Sequence, residues 1–271
     1  MTNKEFIEAR VRELGNRQPW NHDFHLPHGI RSRPGNQVSY GKNTVKWSRL
    51  KPLFDIIRLE DKTVLDIGCN EGFFSINMAQ AGAHVLGVDV DENRIEKACF
   101  VQSILAPDTD IRFDLIDIYS EAFKALPRFD LCLCLCFMHR IPDPYRALAA
   151  NADRSDMIIF EWKALKFGPH DDAFAYFSSK SISPKDFYGT EYWLLSYAAI
   201  ERIMRRFNFN YFYHIDDSRQ NRAILVAGRH CHPLFNQPDI IFQRGRIKSL
   251  LSHTKRYLQI VAGIISGRIN A

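Results

Sequence analysis

The sequence predicts an α/β domain built on a mostly parallel sheet, and three observations predict it. From residue 63 onward, short β-rich runs alternate with helical stretches of roughly 10 to 15 residues, the rhythm of right-handed crossovers. The first run leaves directly into a turn bounded by Gly68 and Gly72 that opens a helix. The last two runs are joined only by residues 216–222, too few for a crossover, so that pair is expected to be antiparallel.

The elements follow in order. Residues 4–14 place Phe6, Ile7, Val11 and Leu14 at helical spacing, with Gly15 as the C-cap. Residues 18–41, rich in His, Pro, Gly and Asn, read as a long loop of the kind that carries function, and a short helix covers 45–57. Strands are expected at 63–67, 84–88, 111–115, 131–135, 157–161, 211–215 and 223–227. Helices lie between them at 73–82, 92–105, near Glu121, at 144–151 and at 197–207. Residues 163–191 fit neither period and read as an insertion over the carboxyl ends of the strands, where open α/β sheets bind ligands. Their aromatics, Phe167, Phe174, Tyr176, Phe177 and Tyr188, suit either the far wall of an acceptor pocket or a satellite core cluster. The chain thus divides into 1–57, a helix and lid region; 58–228, a nucleotide-binding domain; and 229–271, a tail.

Composition narrows the class. With 271 residues, 46% hydrophobic and 25% charged, the chain is neither disordered nor collagen-like. Its longest apolar runs, 131–138 and 260–265, fall far short of the ~20 residues of a transmembrane helix. The N-terminus carries acids and lacks an apolar signal core, so a cytoplasmic location is expected. Cys132, Cys134 and Cys136 alternate in one strand-like run and share a face, so they cannot bridge one another, and the cysteines read as reduced thiols. From Arg229 on there are seven Lys/Arg against one acid, whereas the remainder has 29 bases against 30 acids. Within that tail Ile247, Leu250, Leu251, Leu258, Val261, Ile264 and Ile265 could form one helical face. A peripheral membrane contact, a phosphate contact, a partner subunit and a solvated surface all suit such a segment.

The turn after the first strand reads Asp66-Ile67-Gly68-Cys69-Asn70-Glu71-Gly72. Its glycines permit a tight bend and close approach of a ligand to the backbone. Asp89 closes the second strand 21 residues after Gly68, where an acid can accept both hydroxyls of an adenosine ribose. A dinucleotide site would want G-x-G-x-x-G; here Asn70 holds the middle position and the bulky Phe73 follows Gly72. Asp66 and Glu71 place negative charge beside the bend, repelling a pyrophosphate and favouring a cationic ligand.

Residues 64–72, V-L-D-I-G-C-N-E-G, resemble the first motif of the class I S-adenosylmethionine-dependent methyltransferases, and the likeness continues through Gly87-Val88-Asp89, the Asp117 region and Phe129-Asp130-Leu131. It covers roughly residues 45–228. The resemblance implies a Rossmann-like seven-stranded methyltransferase sheet with an antiparallel last strand, an N-terminal helical and lid extension, and a basic C-terminal tail. It also implies S-adenosyl-L-methionine as cofactor. Gly68 and Gly72 would flank its methionine portion, Asp66 its amino group and Asp89 its ribose, while Asp117 and the backbone of Ile118 face the adenine. Cys69, Asn70, Val90 and Cys134 complete that set. A helix N-cap is the alternative role for Asp117 and the expected one for Asp91. Within the superfamily, Trp47-Ser48-Arg49-Leu50, residues 61–66 and 129–144, Phe160-Glu161 and residues 192–196 are similar to the wobble-uridine tRNA carboxymethyltransferase-like branch. Where that branch has Tyr-His after the fourth strand, this chain has His139-Arg140, so ordinary S-adenosylmethionine is expected.

Methyl transfer asks the protein for alignment, water exclusion and sometimes a base. His139 beyond the fourth strand is the first choice for the base, with packing against the cofactor as its alternative. Glu161, ending the fifth strand, could orient the acceptor or simply pair with Arg140, and His25 represents the histidines of the lid. His22, His25 and His28 are spaced by three, but Pro27 and the irregular setting argue against a preformed metal site. The expected function is O-methylation of a small molecule or glycoconjugate. A tRNA acceptor, a non-catalytic nucleoside-binding protein recruited to membrane by its tail, and a nicotinamide-dependent oxidoreductase are the rivals.

Overall fold

The computed structural model describes residues 3–33, 37–164, 173, 175–178, 192–217, 222–237 and 240–242. The N-terminal region contributes α1 (Lys4–Arg17), a 3-10 turn at Pro27–Gly29 and α2 (Gln37–Ile57). The body then runs β1 (Thr63–Ile67), α3 (Phe73–Gln80), β2 (His84–Asp89), α4 (Glu92–Leu105), β3 (Ile111–Leu115), α5 (Glu121–Lys124), β4 (Leu131–Leu135), α6 (Pro144–Arg154) and β5 (Met157–Lys163). It closes with β6 (Ala175–Ser178), β7 (Tyr192–Leu195), α7 (Tyr197–Arg205), β8 (Tyr211–Asp217), β9 (Arg222–Gly228), a second 3-10 turn at Pro233–Asn236 and β10 (Ile240–Phe242).

The main sheet has the order β10-β8-β9-β5-β4-β1-β2-β3. Strands β1 to β5 pair in parallel, whereas β9 runs antiparallel to both β5 and β8, as the short connection required. The seven expected strands are all present. An eighth, β10, lies parallel to β8 at the edge, in a stretch whose residue spacing reads as helical. Strands β6, within the insertion, and β7, directly after it, form a separate antiparallel pair. Of the proposed acceptor wall, Phe167, Phe174 and Tyr188 lie outside the described residues, as does everything beyond Phe242, including the apolar and basic positions of the tail.

Alternate strand residues feed two buried layers. Val64, Leu131, Leu133 and Ile159 join the layer of α1 to α4, while Leu65, Cys132, Ile158 and Phe160 join that of α6 and α7. Cys136 departs from the alternation of Cys132 and Cys134, because it lies past the end of β4 with φ +59°. All six cysteines are free thiols.

Caps set the helix ends. The side chains of Asn3, Asp91, Ser120, Asp143 and Ser196 accept backbone N–H bonds at the starts of α1, α4, α5, α6 and α7. Gly15 is internal to α1 and does not cap it. A Cβ there would stand 3.2 Å from the Trp20 indole, so the missing side chain makes room for the ring that pins the following segment. The helix stops three residues later at Gln18, whose N–H returns to Leu14 O. α2 begins eight residues earlier than its apolar pattern suggested and continues through Pro52. Arg229, the first base of the tail, is structural: it binds Asp156 at 2.7 Å and the carbonyls of Ala152 and Phe207. Among the described residues no helix is long and apolar enough to cross a membrane.

Candidate functional site

A cavity of about 730 Å³ opens at the carboxyl ends of β1, β2 and β4, within the size range of small-molecule sites. The chain reaches it by a tight bend. Gly68 and Cys69 both donate to Val88 O, at 2.8 and 3.0 Å, and Gly68, Asn70 and Gly72 all take left-handed φ values. The two glycines answer different needs. At Gly68, which lines the cavity, a Cβ would come within 2.9 Å of the Phe137 ring on the facing loop. At Gly72 a Cβ would strike Phe113 at 2.7 Å, so this glycine serves helix–strand packing, away from the ligand.

Of the three buried carboxylates that line the cavity, Asp66 on β1 and Asp89 at the end of β2 stand at one end and Glu161 at the other. Burial, reinforced by Asp89, raises Asp66 to about 6, against the hydrogen bond that Ser75 Oγ donates to it. Asp89 accepts the backbone N–H groups of Asn70, Val90 and Asp91 at 2.9, 2.8 and 3.1 Å, and Arg94 stands 3.7 Å away. Burial raises its pKa as well, with Arg94 opposing. Ile116 and Ile118 extend this end as an apolar wall.

Glu71 takes no part in lining the cavity. It is buried on the other side of the bend, accepting from Lys97 Nζ at 3.2 Å, the Asn21 N–H at 2.9 Å and the His22 N–H at 2.6 Å. Lys97 also donates to Gln18 O at 2.6 Å and lies 4.9 Å from the Trp20 ring centroid. This buried clip, helped by ion pairs from Arg10 and Arg17 to Glu96, fastens the N-terminal segment to the body. The negative charge read at residue 71 is therefore neutralised by Lys97 and does not face a ligand.

The clip delivers Asn21 and His22 to the cavity. His22 is buried against Phe24, Phe73 and Phe74, with Nδ1 enclosed and without a hydrogen-bond partner. Burial first, then the cations Lys46, Arg94 and Lys97, lower its pKa to about 3. Opposite, Glu161, which lies inside β5 level with the last residue of β4 because the strand continues two residues beyond its expected end, is 2% exposed and accepts from Lys46 Nζ of α2 at 3.1 Å. Asn43, Phe74, Cys136, Phe137 and Arg140 complete this second end.

Of the sequence candidates, Asp66, Gly68, Cys69, Asn70, Asp89, Val90, Ile118 and Glu161 line the cavity. Five stand elsewhere, Gly72 being one. Cys134 is wholly buried in β4 and packs in the layer of α6 and α7. Asp117 turns onto its own loop, accepting the Tyr119 N–H at 2.8 Å, while Ser120 takes the N-cap of α5. His139 is buried behind the cavity wall. Its Nδ1 accepts the Lys163 N–H at 3.4 Å and its Nε2 faces Cys136 Sγ at 3.9 Å, so both ring nitrogens are engaged by structure. His25 is exposed and pairs with Arg31 through an isolated antiparallel β-bridge, and His28 is exposed at the 3-10 turn.

Sequence reading missed Asn43, Lys46 and Arg94, and of the loop histidines it named, His22, His25 and His28, it put His25 forward whereas His22 lines the cavity. One signal was present. Lys46 and Asn43 stand four and seven residues before Leu50, so both continue the buried face of α2 into the cavity.

Comparison with known proteins adds the following. Residues 59–166 match the family model described as "Methyltransferase domain". A protein of Aromatoleum aromaticum named ubiquinone biosynthesis O-methyltransferase is 36% identical over 118 residues, 39% of this chain and 49% of that protein. One of the same name from Hydrogenovibrio crunogenus is 26% identical over 180 residues, 66% of this chain and 58% of that protein. The chain thus spans about half the length of the curated relatives it matches. Among solved structures, the N-terminal domain of EvdMO1 with SAH bound superposes with a TM-score of 0.69 at 21% identity, over 85% of this chain and 98% of that one. The magnesium protoporphyrin IX methyltransferase of Synechocystis with bound SAM gives 0.53 at 21% identity, over 71% and 82%. The fold is the Rossmann-like methyltransferase fold.

Proposed function

We propose that this chain is an S-adenosylmethionine-dependent O-methyltransferase acting on a small molecule. One observation carries the reading: the buried carboxylates Asp66 and Asp89 line the cavity beside the first turn of α3, whose Phe74 also faces it. A dinucleotide would need the amides of that turn for its pyrophosphate. The donor set present suits a nucleoside bearing positive charge instead. Asp66 would hold its ammonium group, Asp89 the ribose hydroxyls, Ile116 and Ile118 the flat faces of the base, and the open backbone at Gly68 the amino-acid chain. The family match over residues 59–166 supports the same reading.

When bound, S-adenosylmethionine supplies a methyl carbon made electrophilic by its sulfonium. The chain's own residues do the rest. Glu161 would receive the proton that the acceptor hydroxyl gives up on methylation. Lys46, 3.1 Å from Glu161, orients the carboxylate. Asn21 and His22, held by the Glu71–Lys97 clip, cover the reacting end and exclude water. His139 positions the loop after β4 through its bond to Lys163 and does not exchange protons with the acceptor.

The likeness to the wobble-uridine branch rests on short stretches such as residues 47–50, while the relatives named above carry the name of a small-molecule O-methyltransferase. A small-molecule acceptor is therefore preferred to tRNA. The test is incubation with methyl-tritiated S-adenosylmethionine and fractionated cell extract. Label is expected in a base-stable ether within the small-molecule fraction and absent with Glu161→Gln; label in tRNA, or in no fraction, overturns the assignment.

A further inference from the structure

The reacting end of the cavity is unusually polar for its depth. Three groups gather around the ring of Phe74: Lys46 Nζ lies 5.5 Å from its centroid, the His22 ring 6.5 Å from it, and Glu161 is bound to that same lysine. Asn43, one turn before Lys46 on α2, lines the cavity with them. None of these chains is needed to hold the nucleoside end, which Asp66, Asp89 and the isoleucines already account for.

Their hydrogen-bonding capacities differ and are complementary. Glu161 accepts, Lys46 only donates, and Asn43 does both. His22 lines the cavity, and its ring, kept neutral by burial, can offer one donor or one acceptor. A buried carboxylate beside an ammonium at 3.1 Å presents an acceptor and a donor side by side. Two adjacent hydroxyls, each able to donate and accept, are the matching pattern. A ligand with one hydroxyl on an otherwise apolar skeleton would answer only one of these groups while taking water from the others. Phe74 and Phe137 meanwhile offer flat apolar surface for the C–H face of a ring.

We propose that His22, Asn43, Lys46 and Glu161 form a subsite for a polyhydroxylated ring, so that the acceptor is a sugar, free or conjugated, held through neighbouring hydroxyls over Phe74. This rests on the methyltransferase reading and specifies its acceptor. The specificity then belongs to the N-terminal region: two of the four residues sit on α2, one on the clipped segment, and only Glu161 on the sheet. A change of acceptor between relatives should follow changes in residues 20–46 while the nucleoside end stays as it is.

The test reads binding without turnover. The 271-residue chain saturated with S-adenosylhomocysteine is titrated with the methyl glycosides of the common hexoses and 6-deoxyhexoses, and with catechol as the rival that offers the same adjacent hydroxyls on a flat ring, by saturation-transfer NMR and calorimetry. At least one glycoside is expected to bind, weakened about tenfold or more in Lys46→Met and in His22→Phe, the loss of a buried hydrogen bond to a ligand hydroxyl. The His22→Phe chain keeps the ring packing on Phe24 and Phe73, so it remains informative if Lys46→Met does not fold. Binding of catechol with no glycoside bound, no binding of either, or glycoside binding indifferent to both substitutions overturns the sugar subsite and leaves the methyltransferase reading intact. Failure of the unmodified chain to bind S-adenosylhomocysteine at all overturns both.

Discussion

Replacing Lys97 by methionine should unfasten the N-terminal segment. The change keeps the length of the chain but removes the ammonium that binds Glu71 at 3.2 Å and the carbonyls of Gln18 and Pro19 at 2.6 and 3.3 Å. Breaking a buried ion pair by deleting one partner costs about 3 to 5 kcal/mol, because the other charge stays buried. Here Glu71 retains the N–H groups of Asn21 and His22, which places the cost near the lower limit, about 3 kcal/mol. For a chain of this size that lowers the melting temperature by about 6 to 12 °C. The second substitution decides the mechanism. Glu71→Gln on the same background removes the orphaned charge, so the double variant should be more stable than the sum of the two single losses by about 2 kcal/mol. Differential scanning calorimetry of the four chains measures this cycle. A melting temperature for Lys97→Met within about 2 °C of the unmodified protein, or additive losses, would refute a clip held by charge.

Other outcomes follow from the same geometry. Glu161→Gln should lower kcat by about a hundredfold or more while S-adenosylhomocysteine affinity stays within about threefold, the signature of a lost base. His139→Asn should cost about 1 to 2 kcal/mol of stability through its bond to Lys163, yet leave the pH profile of kcat in place; a shifted profile would return it to the reaction. Gly68→Ala should weaken nucleoside binding about tenfold and cost about 1 to 2 kcal/mol, since the added methyl sits at φ +71° and drives Phe137 into the cavity. Asp66 sets a pH dependence. With its pKa raised to about 6, the folded protein prefers the protonated acid, so that contribution to stability is full below about pH 4 and is lost as pH rises through about 6. Binding of an ammonium-bearing nucleoside runs the other way, tightening from pH 5 to 7 and level above; calorimetric affinities flat across that range would contradict the role given to Asp66.

The strands were legible because they are central. Contiguous apolar runs such as 131–135 are buried on both faces, and their bounds coincide with β4. The bend was legible from its glycines, although one glycine serves a ligand and the other a phenylalanine, a distinction that depends on where Phe113 of β3 falls. Charge was misread at Glu71, since its partner Lys97 lies 26 residues on and only the packing of α4 brings the two together. The same long-range logic hid the reacting end: Lys46 and Glu161 are 115 residues apart, and nothing local marks either as belonging to the other. His139 looked like a base because it follows a strand end, but the turn at Cys136 points it behind the wall. The edge strand β10 has three residues, too few for any period to show.

The central claim is that a cavity lined by Asp66 and Asp89 holds an adenine nucleoside bearing an ammonium group and not a diphosphate. Isothermal titration of the full chain with S-adenosylhomocysteine and, in parallel, with NAD tests it most directly. One-to-one heat with the thioether nucleoside and none with NAD is the expected result. Heat with NAD, or silence toward both, would contradict it.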